Sequence, residues 1–183
     1  MAEIEKRQPW LVRIHYRMRT VAFAMLLVVG GLHIAGKDAY GPGTWALLGL
    51  LFLAYPQIQY WRASRAANSL KTELDNLRID SALLGMFTAA LAFPAWITFS
   101  AAMGTLSNNA LNRGWRGVLE NVLIFLGGAL AWVMVAGFRF SPDTDWPVTL
   151  GCIVGLGGYL MAVGNIGFTR IVWLRQAREK LQD

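Results

Sequence analysis

Few residues in this 183-residue chain are of types that do chemistry, and their spacing limits what they can do. The two histidines, His15 and His33, are natural haem ligands. They stand 18 residues apart, which on a continuous helix is ~27 Å. One haem cannot bridge that distance within a chain. The readings left are a haem held between subunits, an interfacial His15, and a His33 hydrogen-bonded near the outer membrane mouth and available to a ligand pocket. Asp80 and Glu120 lie beside apolar runs, where an unpaired charge is costly. Asp80 is placed to cap a helix start by accepting from free amides. Glu120 has Arg113 and Arg116 as nearby partners. Asn108, Asn109 and Asn112, with Gly114 and Gly117, read as a polar loop that turns, caps, or touches a neighbouring helix. No nucleophile–base pair, metal-ligand spacing or second acid accompanies these residues, so catalysis, a metal and a cofactor are not expected. GLGG at Gly155–Gly158 lies in an apolar run, without the strand and lysine of a phosphate loop. Cys152, the one cysteine, also lies in an apolar run and reads as a buried small residue.

The elements that position these residues read as membrane segments. The chain is 55% hydrophobic and 15% charged, against about 25% charged in soluble domains. Its mean hydropathy is +0.40, and the charges cluster between long uncharged runs. The net charge of +6 sits beside apolar runs rather than on a polar patch, so it sets orientation in a membrane and does not bind nucleic acid. Residues 1–19 form a basic amphipathic segment suited to anionic lipid. A first span covers about 20–36. Gly41, Pro42 and Gly43 break the chain before a second span at about 44–61, which Tyr55–Pro56 should bend. Residues 62–80 read as a surface helix with a thin stripe of Leu70, Leu74 and Leu77. Two clear spans follow at about 118–137 and 148–168, separated by a polar loop.

The run from Ala82 to about Leu106 fits one long span or two short ones turning at Phe93–Pro94. Loop charges choose between them. Lys and Arg number five in residues 1–19, four in 62–80, two in 107–117 and four in 169–183, against one each in loops 37–43 and 138–147. Positive segments face the cytoplasm, so residues 80 and 107 must lie on the same side. The expectation is an all-α membrane protein: a six-helix transmembrane bundle, segments three and four a short hairpin, both termini cytoplasmic. The arms, ~18–21 Å long, are short of a ~30 Å hydrocarbon core and need protein around them. His33, Phe93, Pro94 and Trp96 are the expected lining of a lipophilic ligand pocket at the hairpin. Asp80, Asn108, Asn109, Arg113, Arg116 and Glu120 are the expected polar coupling groups on the inner side. Gly151 and Gly155 allow close helix contact, chiefly within the chain. Leu174, Ala177 and Leu181 fall at i, i+3 and i+7 on a C-terminal helix shaped for dimerisation and signalling.

The order YPQIQYW at Tyr55–Trp61, a basic helix, DSALLG at Asp80–Gly85, Phe93–Pro94, SNNALNRGWR at Ser107–Arg116 and a charged helical tail resembles the membrane-associated sensor domain of type two. The resemblance spans roughly residues 15–180. It implies six helices and a sensor or anchor joined in cis to a cytoplasmic diguanylate or class III adenylyl cyclase. It implies a homo-oligomer, dimer or higher, in the bacterial inner membrane, because such cyclases need two catalytic domains brought together. The domain plan is then 1–19 amphipathic, 20–168 sensor, and 169–183 the start of a signalling helix. The partners expected are membrane lipids, the cyclase and a lipophilic ligand.

Overall fold

The computed structural model describes residues 9–35, 37 and 40–179. Its elements are α1 (Pro9–Ile34), α2 (Pro42–Gly49), a π-helical segment (Leu50–Ala54), α3 (Tyr55–Arg65), α4 (Ser69–Ala90), α5 (Ala95–Ala136) and α6 (Trp146–Glu179). No strand occurs among the described residues. Three helical stretches are long and apolar enough to cross a membrane: Trp10–Ile34, Ala95–Ala136 and Trp146–Trp173.

Local chemistry explains most of the boundaries. Pro42 opens α2, where its missing N–H is not needed. The bend expected at Tyr55–Pro56 takes the form of a π turn. Pro56 has no N–H for the Phe52 carbonyl, and its ring would strike that carbonyl in a regular helix. The widened turn, with Tyr55 N–H on Leu50 O, relieves both problems. Phe52 and Tyr55 both then reach Phe23 on α1, with ring centroids 5.5 and 5.6 Å away. Asn68 caps α4 by accepting from Lys71 N–H at 3.0 Å.

Three expectations are corrected here. Residues 62–80 do not make a separate surface helix: α3 ends at Arg65, and α4 then runs without a break from Ser69 to Ala90. Asp80 therefore lies mid-helix and caps nothing; Asn68 does that work. The face of α4 turned inward is also largely the polar one, with Ser69, Glu73, Asn76, Leu77 and Asp80 all buried, while Leu70 is exposed. Because the helices continue into the polar segments, those flanking Phe93–Pro94 are not short. α4 has 22 residues, or about 33 Å. The first arm of α5, residues 95–113, is about 28 Å long.

Residues expected as a loop, Asn108, Asn109 and Asn112, lie within α5. The chain reverses instead at Gly114 (φ 59°, ψ −147°), a conformation nearly confined to glycine. The second arm then returns along the first. Thr105 and Asn109 both touch Asn121, which a straight helix would place ~18–24 Å away.

At the opposite turn, Ala92 (φ 65°) and Phe93 (φ 58°) are both left-handed. Each costs about 1–2 kcal/mol. The loop after α5 braces them, through Ser141 N–H on Ala92 O at 2.7 Å and Ala95 N–H on Pro142 O at 2.9 Å. Ala92→Gly removes the strain and keeps both bonds. It is expected to raise the unfolding midpoint by about 2–4 °C, read by circular dichroism in detergent.

The apolar core gathers Phe23, Leu26, Val29, Phe52, Leu84, Phe87, Ile97, Phe125, Val148 and Cys152. Gly151 and Gly155 of α6 press on Val29 and Met25 of α1, an intrachain use of that pair.

Candidate functional site

The buried interior holds more charge than a soluble core tolerates. Arg19, 5% exposed, sits among the bundle helices. Its Nε donates to Asp80 Oδ2 at 2.9 Å and its Nη2 to Glu73 Oε2 at 3.2 Å. Tyr55 Oη donates to Asp80 Oδ1 at 2.7 Å, and Gln59 Nε2 donates to Tyr55 Oη at 2.7 Å. His15 Nδ1 stands 3.4 Å from Glu73 Oε2, an ion pair when the ring is protonated. The network joins α1, α3 and α4. The widened turn before Pro56 sets the phase that turns Tyr55 toward it. Arg19 Nη1 is buried and has no partner among the described residues.

A second network starts at Ser81, the residue after Asp80 on α4. Ser81 donates to Asn121, Asn109 Nδ2 donates to the same oxygen at 2.9 Å, and Asn121 Nδ2 donates to Thr105 Oγ1 at 3.2 Å. It ties α4 to both arms of α5. Asn121→Leu keeps the number and branching of side-chain heavy atoms and removes three bonds. Ser81, Thr105 and Asn109 each retain a bond to a backbone carbonyl of their own helix. With about 0.6 kcal/mol per interhelical bond, the expected loss is ~2 kcal/mol, seen as a lower midpoint of thermal unfolding in detergent.

A third cluster is more open. Glu120 accepts from Arg78 Nε at 2.5 Å and from Arg113, and Arg78 also donates to Asp75 at 2.6 Å. Arg116 is exposed and makes no ion pair among the described residues. Asn108 accepts from Asn112, whose Oδ1 accepts from Arg170 of α6 at 3.2 Å. Arg170 also lies over the Trp10 ring, and Trp10 meets Trp173 at 6.3 Å. The first turns of α1 and the last part of α6 therefore share one end of the bundle.

A cavity lies between α1, α4, α5 and α6, with Arg19 and Asp80 in its wall. Asn108 and Asn109 line it as well, whereas His33, Phe93, Pro94 and Trp96 do not. His33 is buried at the far end of α1, its Nε2 3.1 Å from Lys37 Nζ. Phe93 faces Phe138 at 6.0 Å, and Trp96 faces Phe99 at 6.0 Å. His15, read as interfacial, is buried at 4% exposure. Leu174 and Ala177 belong to α6. Leu181 lies outside the described residues, as do the side chains of Leu174 and Ala177.

Sequence reasoning missed Arg19, Glu73, Tyr55, Asn121 and Tyr159. A signal for Arg19 was present. Val12, His15, Arg19, Phe23 and Leu26 fall on one helical stripe, so a charge on that stripe belongs inside once α1 is continuous.

The outside of the molecule is the complement of this interior. Leu123 is 71% exposed, Met134 79% and Val135 86%. A bundle with charges paired inside and large apolar side chains outside is an integral membrane protein. Residues 14–103 match the family model of the MASE2 domain. That segment is thus a MASE2 domain, a membrane-associated sensor domain of type 2. The match contains every member of the Arg19 network. No curated protein and no solved structure matched the chain.

Proposed function

We propose that the chain is a non-catalytic sensor and oligomerising anchor of the bacterial inner membrane. It passes a membrane or small-ligand signal through α6 to a cytoplasmic nucleotide cyclase domain in cis. The observation that carries this reading is the continuity of α6 from Trp146 to Glu179. Its first half borders the cavity and packs on α1 through Gly151 and Gly155. Its last turns run past the apolar window that closes at Trp173. A packed helix moves as a body, so a shift beside the cavity reaches the tail as translation or rotation. Leu174, Ala177 and Leu181 are the proposed dimer-facing positions, and a homodimer is the simplest assembly that joins two cyclase domains. Asn112 and Arg170 couple the tail to the reversal at Gly114, beside the Arg113–Glu120 pair.

In this reading the six crossings are α1, the unit of α2, π turn and α3, α4, the two arms of α5, and α6. The reversals at residues 91–94 and at Gly114 support an even number of crossings. The loop charges then put both termini inside. Reporter fusions are expected to read cytoplasmic at Asn109 and external at Asp143; an external Asn109 overturns the topology.

The function is tested by fusing this chain to a diguanylate cyclase and, separately, to an adenylyl cyclase. Each is compared with an unrelated dimerising anchor at matched expression. Cyclase output that varies with membrane lipid composition or added lipophile only in the MASE2 fusions is expected. Equal output from both anchors under every condition overturns the sensor reading and leaves a structural anchor.

A further inference from the structure

The cavity has the shape and the unused hydrogen-bonding groups of a binding site. Along α1 its wall runs from Arg19 to Val29, along α5 from Ser100 to Asn109, and along α6 from Gly151 to Tyr159. At 1.5 Å per residue the lining spans roughly 12–15 Å, around an open-sided space of about 80 Å³. Most polar groups gather at one end, and the buried Ser100 hydroxyl lies at the other. Gly151 lies against Val29 and Gly155 against Met25, so successive turns of α6 step back along α1 and bring Tyr159 toward Arg19. Beyond that end the wall is mostly apolar, with Phe23, Leu26, Val29 and Leu84.

The charge balance at the polar end selects the head group. Arg19 already faces two carboxylates, Asp80 at 2.9 Å and Glu73 at 3.2 Å. An anionic head would sit beside Asp80 with no net positive charge to hold it. A cationic head would meet only Asp80 in the cavity wall, and each of its oxygens already accepts one bond, from Arg19 or Tyr55. What remains is donors. Arg19 Nη1 is buried without a partner, and the Tyr159 hydroxyl makes no hydrogen bond among the described residues. A buried donor left unpaired carries a penalty that a ligand oxygen removes. We infer that the cavity binds a neutral, elongated lipophile whose carbonyl or hydroxyl oxygen accepts from Arg19 Nη1 and the Tyr159 hydroxyl. Its chain extends toward Ser100 and Cys152. This deepens the sensor reading and rests on it for its consequence, since the ligand wedges α1 against α6.

The test is thermal unfolding of the purified full chain in detergent, followed by tryptophan fluorescence. The added compounds are 2-dodecanone, dodecane, dodecanoate and dioleoylglycerol. The ketone is expected to raise the midpoint saturably, with dodecane and dodecanoate needing at least tenfold more. If dioleoylglycerol acts as well as the ketone, the natural source is a neutral membrane lipid; if only the ketone acts, it is a diffusible amphiphile. Both results support the site. Gly104→Leu adds a side chain to the cavity wall at a position where a Cβ meets nothing nearer than Tyr159 Cε1 at 3.8 Å. It is expected to fold and to abolish the ketone shift. Tyr159→Phe is expected to require several-fold more ketone and to leave the dodecane response unchanged. Equal responses to ketone and dodecane, or undiminished responses in both variants, overturn the inference. Saturable binding with no cyclase response in the fusions keeps the site and overturns the sensor reading. A cyclase response without binding does the reverse.

Discussion

Arg19→Met is expected to lower the unfolding midpoint by roughly 6–20 °C, the equivalent of about 3–5 kcal/mol at ~2–4 °C per kcal/mol. The reason lies in what stays behind. Asp80 and Glu73 would remain buried, at 5% and 0% exposure, without their cation. Methionine fills the volume but supplies no charge. The triple change Arg19→Met, Glu73→Leu, Asp80→Leu is expected to recover most of the loss, because an apolar cluster of similar size substitutes for a buried ion group at little net cost. Unfolding in detergent read by circular dichroism checks both. A single variant within ~2 °C of the parent would show that the three charges are solvated rather than mutually dependent. The pair also predicts a division of roles. The triple variant keeps the fold but loses the Arg19 donor, so it should no longer respond to the ketone.

Gly128→Ala is expected to destabilise by about 1–3 kcal/mol, while Gly127→Ala, one residue away, is neutral or stabilising by up to ~1 kcal/mol. A Cβ on Gly128 would collide with the backbone carbonyl of Ala82, and one on Gly85 with that of Phe125. The second arm of α5 and α4 thus touch backbone to backbone at two points. Backbone cannot swing aside as a side chain does, so a single methyl must push whole helices apart. A Cβ on Gly127 meets nothing within 4 Å, and alanine there only gains helix propensity. The two midpoints, measured side by side, separate a packing requirement from a general tolerance for small residues in membrane helices.

Much of this was legible in the residues themselves. Apolar runs with clustered charges identify a membrane protein, and the breaks at Pro42, Tyr55–Pro56 and Phe93–Pro94 are marked by proline's fixed φ and missing N–H. An ion pair of Glu120 with Arg113 or Arg116 was also readable, and Arg113, seven residues away across Gly114 and Gly117, is the one that pairs. Other features were not. Asp80 read as a cap because the polar run before it resembled a surface helix. Nothing local announces that α4 continues through it. Hydropathy alone predicts short arms and a pocket at Phe93–Pro94, because it ends a helix where polarity begins; the structure carries α4 and α5 well past those points.

What the sequence by itself determined is the solvent of this protein and the prolines and glycines at which the chain bends or turns. Both follow from short-range chemistry: side-chain transfer energies, proline and the left-handed freedom of Gly114. What only the tertiary structure decided is which polar groups meet. Arg19 finds Asp80 across 61 positions, Ser81 finds Asn121 across 40, and Arg170 finds Asn112 across 58. Each pairing depends on helix phase and on how closely glycines let backbones approach, quantities that exist only once the bundle has closed.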